Sequence, residues 1–302
     1  MTCQQEPHTQ FAINSHLRGG DILLFHPRLR AALLAILALP PLIRPAPSRA
    51  DDQPFITLYT TDVDTQGERE FEQWLIWRAD HAIGTYRDLL AQSEIEYGIT
   101  DDLQGSLYLN YEWTREGDAA TPTSEQSLVG AQGELIYRVL NVYFDPVGLA
   151  FYLEPSFAAG QRGLETKILL QKNFFNDTLR FAFNTNFEDD WDRYRDRWVK
   201  MSALEFDAGL AYNVTPDFSI GMEFDNERAF NGLVLGAPAS EQSSAFFIGP
   251  TVQYIGLPAT VTFNVQTQLP WAGSSGAAGL LENGFVTQAE RYRIGLRLSK
   301  DF

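Results

Sequence analysis

The chain has 302 residues, of which 44% are apolar, 21% charged and 13% aromatic, with a formal net charge of −16. That is enough apolar material to fold, and a chain so acidic lacks the clustered Lys and Arg that hold nucleic-acid phosphates, which excludes a nucleic-acid partner. Mean hydropathy is −0.21 and the longest apolar run, Ala31 to Ile43, falls short of the roughly 17–25 residues of a spanning helix, so a soluble protein or a membrane β-barrel remains.

In chain order, the first predicted element is a secretory signal. Arg28 and Arg30 precede the apolar run Ala31 to Leu39, then Pro40-Pro41, and Ser48-Arg49-Ala50 stands before Asp51-Asp52. That is a charged region, a short apolar region and a small-x-small exit. The division is therefore an N-terminal extension and signal over 1–50, a periplasmic segment over 51–66, and a barrel over 67–302. Cys3, the single cysteine, leaves with the signal, so no disulfide framework is expected. Residues 1–50 carry five Arg and two acids, and their removal leaves 18 basic and 37 acidic residues, a formal charge of −19.

From residue 67 the dominant period is two, the mark of strands with unlike faces. Leu107, Leu109, Tyr111 and Trp113 alternate with Ser106, Tyr108, Asn110 and Glu112, and Ala259, Val261, Phe263 and Val265 alternate with Thr260, Thr262, Asn264 and Gln266. Twelve strands are predicted, at 67–79, 87–99, 104–115, 126–140, 148–158, 163–175, 178–188, 200–213, 217–228, 243–255, 258–269 and 287–301. Their lengths suit tilted strands crossing a bilayer. Most connections alternate short and long, which puts short turns and both termini in the periplasm and long loops outside. The fold class is thus an all-β, transmembrane, antiparallel up-and-down barrel of about twelve strands. In the first strand the parity shifts between Glu72 and Trp74-Leu75-Ile76-Trp77, which predicts a bulge near Gln73.

Each descending strand ends in an aromatic on its apolar face: Tyr97, Tyr137, Phe174, Tyr212 and Tyr254. These form the expected periplasmic girdle. At the other terminus Tyr292, Ile294, Leu296 and Leu298 alternate with Arg293, Gly295, Arg297 and Ser299, and the chain finishes in Phe302. Here it resembles bacterial outer-membrane β-barrel proteins, whose last strand ends in an aromatic residue. The resemblance implies that Phe302 is read by the barrel-assembly machinery; Lys300 departs from the apolar residue usual two places earlier. The stretch Glu94 to Gln104 is similar to one in uncharacterised proteobacterial barrels, a resemblance that implies no activity.

Parity turns the acids inward, because a charge on the lipid face costs about 2–4 kcal/mol at midplane for Arg or Lys. Fifteen acids against six basic residues make the predicted lumen acidic. Closure sets the last strand beside the first, so Arg291, Arg293 and Arg297 are expected to face Glu68, Glu70 and Glu72 in a salt-bridge seam. Around the Thr215 turn, Asp207 is expected opposite Glu223 and Glu205 opposite Asp225. These four carboxylates are either neutralised by Arg180 or form a cation site. No cofactor motif or catalytic residue emerges: residues 51–302 hold one histidine, His81, with no recognisable serine partner.

The functional expectation is a monomeric outer-membrane barrel, a narrow passive channel for small cationic or neutral solutes, in contact with outer-membrane lipid and lipopolysaccharide. The alternative is a closed structural or surface-interaction barrel acting through external loops such as Asp189 to Trp198. An envelope-lipid-modifying enzyme ranks third.

Overall fold

The strands follow directly from the period-two pattern, which gives each segment one face for hydrocarbon and one for a polar interior. In a computed structural model of the chain, residues 53–117, 120–234, 240–256, 258–275 and 281–302 are described; the expected signal segment lies outside them. Their strands are β1 (Arg69–Ala79), β2 (Thr85–Thr100), β3 (Leu103–Gly117), β4 (Thr123–Leu140), β5 (Gly148–Ala158), β6 (Gln161–Phe174), β7 (Leu179–Tyr194), β8 (Arg197–Thr215), β9 (Phe218–Asn231), β10 (Ser240–Ile255), β11 (Thr260–Gln268), the short β12 (Ser274–Ser275), β13 (Leu281–Glu282) and β14 (Phe285–Val286), and β15 (Tyr292–Asp301). Twelve of them are staves, each antiparallel to its neighbours. The cylinder closes where β15 pairs with both β11 and β1. The Phe302 N–H continues this closure, donating to the Arg69 carbonyl at 3.1 Å.

The faces divide as parity requires. Leu107, Leu109 and Tyr111 stand out from β3, while Ser106, Tyr108 and Asn110 between them are buried. Tyr97, Tyr137, Phe174, Tyr212 and Tyr254 all lie on the outer face, each about half exposed, near the ends of β2, β4, β6, β8 and β10. That end, the short-turn end, carries connections of at most seven residues, whereas the opposite end has two-residue turns after β5 and β7 together with the longest connections.

Three local expectations need correction. First, β1 runs without a bulge: it pairs continuously with β2 and β15, and Trp74 points inward with Glu70 and Glu72 while Leu75 and Trp77 point out. Trp74 is satisfied inside because its indole N–H donates to Glu72 Oε2 at 2.6 Å, so an aromatic on the polar face requires no break in parity. Second, residues 189–198 are not a loop. They prolong β7 and β8 into a hairpin that turns at Arg195 with φ 54°. Their residues stand opposite one another across the two strands, Trp191 opposite Lys200 and Arg193 opposite Trp198. Third, the last stave starts at Tyr292 rather than 287. The residues before it form the small hairpin β13–β14, whose Asn283-Gly284 turn has φ 53° and 88°, as a tight two-residue hairpin needs. Val286 packs on Phe247 and Ala245 of β10.

Candidate functional site

Residues 53–66 have neither strand period nor helix period, and the fold lays them along the inner wall near the short-turn end. We call this segment the plug. The wall meets it with apolar residues, three of them alanines: Ala182 and Ala211 cluster with Phe55 and Leu58, and Ala150, Ile136, Leu169 and Tyr152 cluster with Val63. At Gly209 a Cβ would stand 2.6 Å from the Phe55 ring, and at Gly98 it would stand 1.9 Å from the Thr65 carbonyl oxygen. Apolar and minimal side chains on an otherwise polar inner face thus make a seat for a second segment.

A segment without strand partners must satisfy its backbone elsewhere, and inward side chains of the staves do this in sequence around the wall. Glu223 of β9 accepts from the Ile56 N–H at 3.1 Å and the Thr57 N–H at 2.8 Å. Asn184 of β7 accepts from the Tyr59 N–H at 2.6 Å and donates to its carbonyl at 2.9 Å. Gln171 of β6 accepts from the Thr61 N–H and Gln104 of β3 from the Asp64 N–H, both at 2.7 Å. At the start of the plug, the Gln53 carbonyl accepts from Gln253 at 2.9 Å and from Arg297. The Tyr59 ring lies 4.6 Å from Lys167 Nζ, which also lies 4.3 Å from the Tyr152 ring and pairs with Glu165 at 3.1 Å.

Above the plug is a cavity of about 480 Å³, floored by Ile56, Thr57 and Tyr59. Eight carboxyl residues line it against three cations, Arg78, Lys167 and Arg293. Arg293 is the chief organiser. Its guanidinium meets both oxygens of Glu227 at 2.5 and 2.6 Å, meets Glu290 at 2.5 Å, and lies 3.5 Å from the centre of the Phe247 ring. Glu290 sits in the segment before β15. Burial works to raise its carboxyl, but Arg293 and Arg78 hold it below the usual carboxylate value. His81, between β1 and β2, stacks on Tyr86 with ring centres 3.8 Å apart. Burial lowers its imidazole against the opposing pull of Glu290 and Asp80.

The expected seam forms at one point. Arg297 lies 3.5 Å from Glu72, but Arg293 turns to Glu227 and Glu290, Arg291 pairs with Asp80 at 3.3 Å, and Glu68 accepts from the Thr65 N–H at 2.8 Å. The reason is register: Glu70 stands opposite Asp301 and Arg293 opposite Arg78, which separates the charges expected to meet. The β8–β9 register is also displaced by two. The turn centres on Pro216-Asp217, so Asp207 stands opposite Asp225, Glu205 opposite Glu227, and Glu223 opposite Gly209. These carboxylates are met by amides and the plug rather than by Arg180: Asn186 donates to Asp207 at 2.7 Å, Gln266 to Asp225 at 2.6 Å, and Thr57 Oγ1 to Glu223 and Asp225 at 2.6 and 2.9 Å. Arg180 instead approaches Asp62 of the plug at 3.9 Å.

Residues 47–302 match the model of a family described as a family of unknown function, DUF6662. The chain belongs to that family. No curated protein matches it. Among solved structures, it is similar to an outer membrane channel from Pseudomonas putida F1, at 11% identity and a TM-score of 0.56, over 82% of this chain and 100% of that one. It is also similar to the NanC porin, at 13% identity and a TM-score of 0.46, over 77% and 98%. The first of these likenesses shows a shared barrel fold.

Proposed function

We propose that this family member is a bacterial outer-membrane channel for passive passage of small cationic or neutral solutes, closed on its periplasmic side by the plug. The outer band of Leu, Ile, Phe and Tyr is far larger than a soluble monomer exposes and suits hydrocarbon. The observation that carries the solute class is the cavity wall, with eight carboxyl residues against three cations. Such a wall raises local cation concentration and repels anions. The short-turn end, with its aromatic ring, is the periplasmic end, and the monomer is inserted into outer-membrane lipid by the barrel-assembly machinery acting on the strand that ends in Phe302.

The plug favours a second reading, a closed barrel working through its outer hairpins. There the long β7–β8 hairpin carries Asp, Arg and Trp side chains, with Arg162 lying 5.2 Å from the Trp198 ring, and would meet lipopolysaccharide. Planar-bilayer recording separates the two. Cation-selective steps that grow when residues 53–66 are deleted support the channel, and silence of both proteins across many insertions supports the closed barrel.

A further inference from the structure

Four inward glutamates face one another across β1 and β2: Glu70 stands opposite Glu96, and Glu72 opposite Glu94. All four are buried. Like charges directly opposite weaken a strand pair, and a buried carboxylate needs compensation. Arg297 touches this group at Glu72, and Gln92 and Gln104 donate to Glu94 and Glu96 at 2.8 and 2.7 Å.

The plug supplies an independent observation. Asp64, on a separate segment, is 2% exposed, and its Oδ2 is buried and accepts no hydrogen bond. Its backbone is held over the glutamates by Gln104. One carboxylate oxygen from each of Asp64, Glu70 and Glu96 lies within 4.8 Å of the others, and Glu72, Glu94 and Glu96 form an adjoining triad. Glu94 Oε1 is also buried without a hydrogen bond.

We propose that Asp64, Glu70 and Glu96 bind a hard divalent cation that clips the plug to the barrel wall. Three carboxylates offer up to six oxygens and no nitrogen or sulfur, which selects hard cations over zinc or copper. Magnesium tends to keep several waters, whereas calcium accepts a flexible shell built of carboxylates, so calcium is the ion this buried triad favours. The inference rests on the position of the plug and not on conduction, so it stands or falls apart from the channel reading.

The test uses Tb³⁺ as a calcium probe on the full chain in detergent, excited through Trp74, whose indole N–H contacts Glu72. Saturable emission that Ca²⁺ displaces is expected. Asp64→Asn should weaken binding about tenfold or more, while Trp74→Phe should dim the emission because the donor is gone. Heat-modifiable electrophoretic mobility verifies that each variant is a folded barrel. Glu96→Gln provides a second variant on the wall, and protection of the plug from protease by Ca²⁺ a second readout. Absence of saturable emission, a titration that neither Asp64→Asn nor Glu96→Gln alters, or a plug whose protease protection ignores Ca²⁺ overturns the proposal.

Discussion

Replacing Glu223 by Ala should release the plug without opening the barrel. This carboxylate is the densest anchor of the segment, accepting from the Ile56 and Thr57 backbone N–H groups and from Thr57 Oγ1. A hydrogen bond to a charged group contributes about 1.5–3 kcal/mol. Thr57 Oγ1 keeps Asp225 at 2.9 Å, so the two backbone bonds dominate, and their lower bound sums to about 3 kcal/mol. That corresponds to roughly a hundredfold rise in the fraction of molecules with the plug undocked. Thr60 is fully buried, so a Cys3→Ser, Thr60→Cys protein reports undocking through its rate of maleimide labelling, which follows the open population when closing is fast. Labelling should accelerate about a hundredfold in Glu223→Ala, with heat-modifiable mobility unchanged, and Glu223→Gln should fall between. Equal labelling rates with and without Glu223→Ala would refute the reasoning that side chains of the wall hold this segment.

Three further outcomes follow from the same geometry. Gly98→Ala places a Cβ against the Thr65 carbonyl, and should raise protease cleavage within residues 53–66 while the barrel stays folded. Arg293→Met strands Glu227 and Glu290 and should lower barrel stability by about 3–5 kcal/mol, read as a fall in melting temperature and in denaturant midpoint. His81 should titrate below the ordinary imidazole value in an NMR titration, because burial disfavours its charged form. Since the unfolded chain takes up that proton first, the stability His81 contributes is complete above about pH 6.5 and is lost as pH falls toward its lowered folded value; His81→Phe should remove this dependence.

The staves were legible because one physical demand, apolar outside and polar inside, writes itself into every second residue of β2, β3, β7 and β11. Register was not, because it depends on how each turn closes. Centring the β8–β9 turn between Pro216 and Asp217 rather than at Thr215 moves Asp207 from opposite Glu223 to opposite Asp225. In β1 the bulge expected near Gln73 does not form, because the Trp74 N–H and a neighbouring carboxylate suit that aromatic to the interior. The plug has no period to detect, since its backbone is bonded by scattered side chains of β3, β6, β7 and β9. A signal for it does exist on the wall. Ile136, Ala150, Leu169, Ala182 and Ala211 fall on the inward parity, where a water-filled lumen has no use for them, and all five are buried, three of them against Val63 and two against Phe55 and Leu58. The Asp64, Glu70 and Glu96 group was hidden for the same reason, because it assembles only once the plug lies on β1 and β2.

The central claim, an acidic lumen shut by its own N-terminal segment, is tested most directly by conductance. Recorded in planar bilayers under a salt gradient, the chain carrying residues 53–66 should be silent or open only briefly, and the same barrel without them should give steady steps whose reversal potential marks preference for cations. Equal, sustained conductance from both proteins, or a reversal potential marking preference for anions, would contradict it.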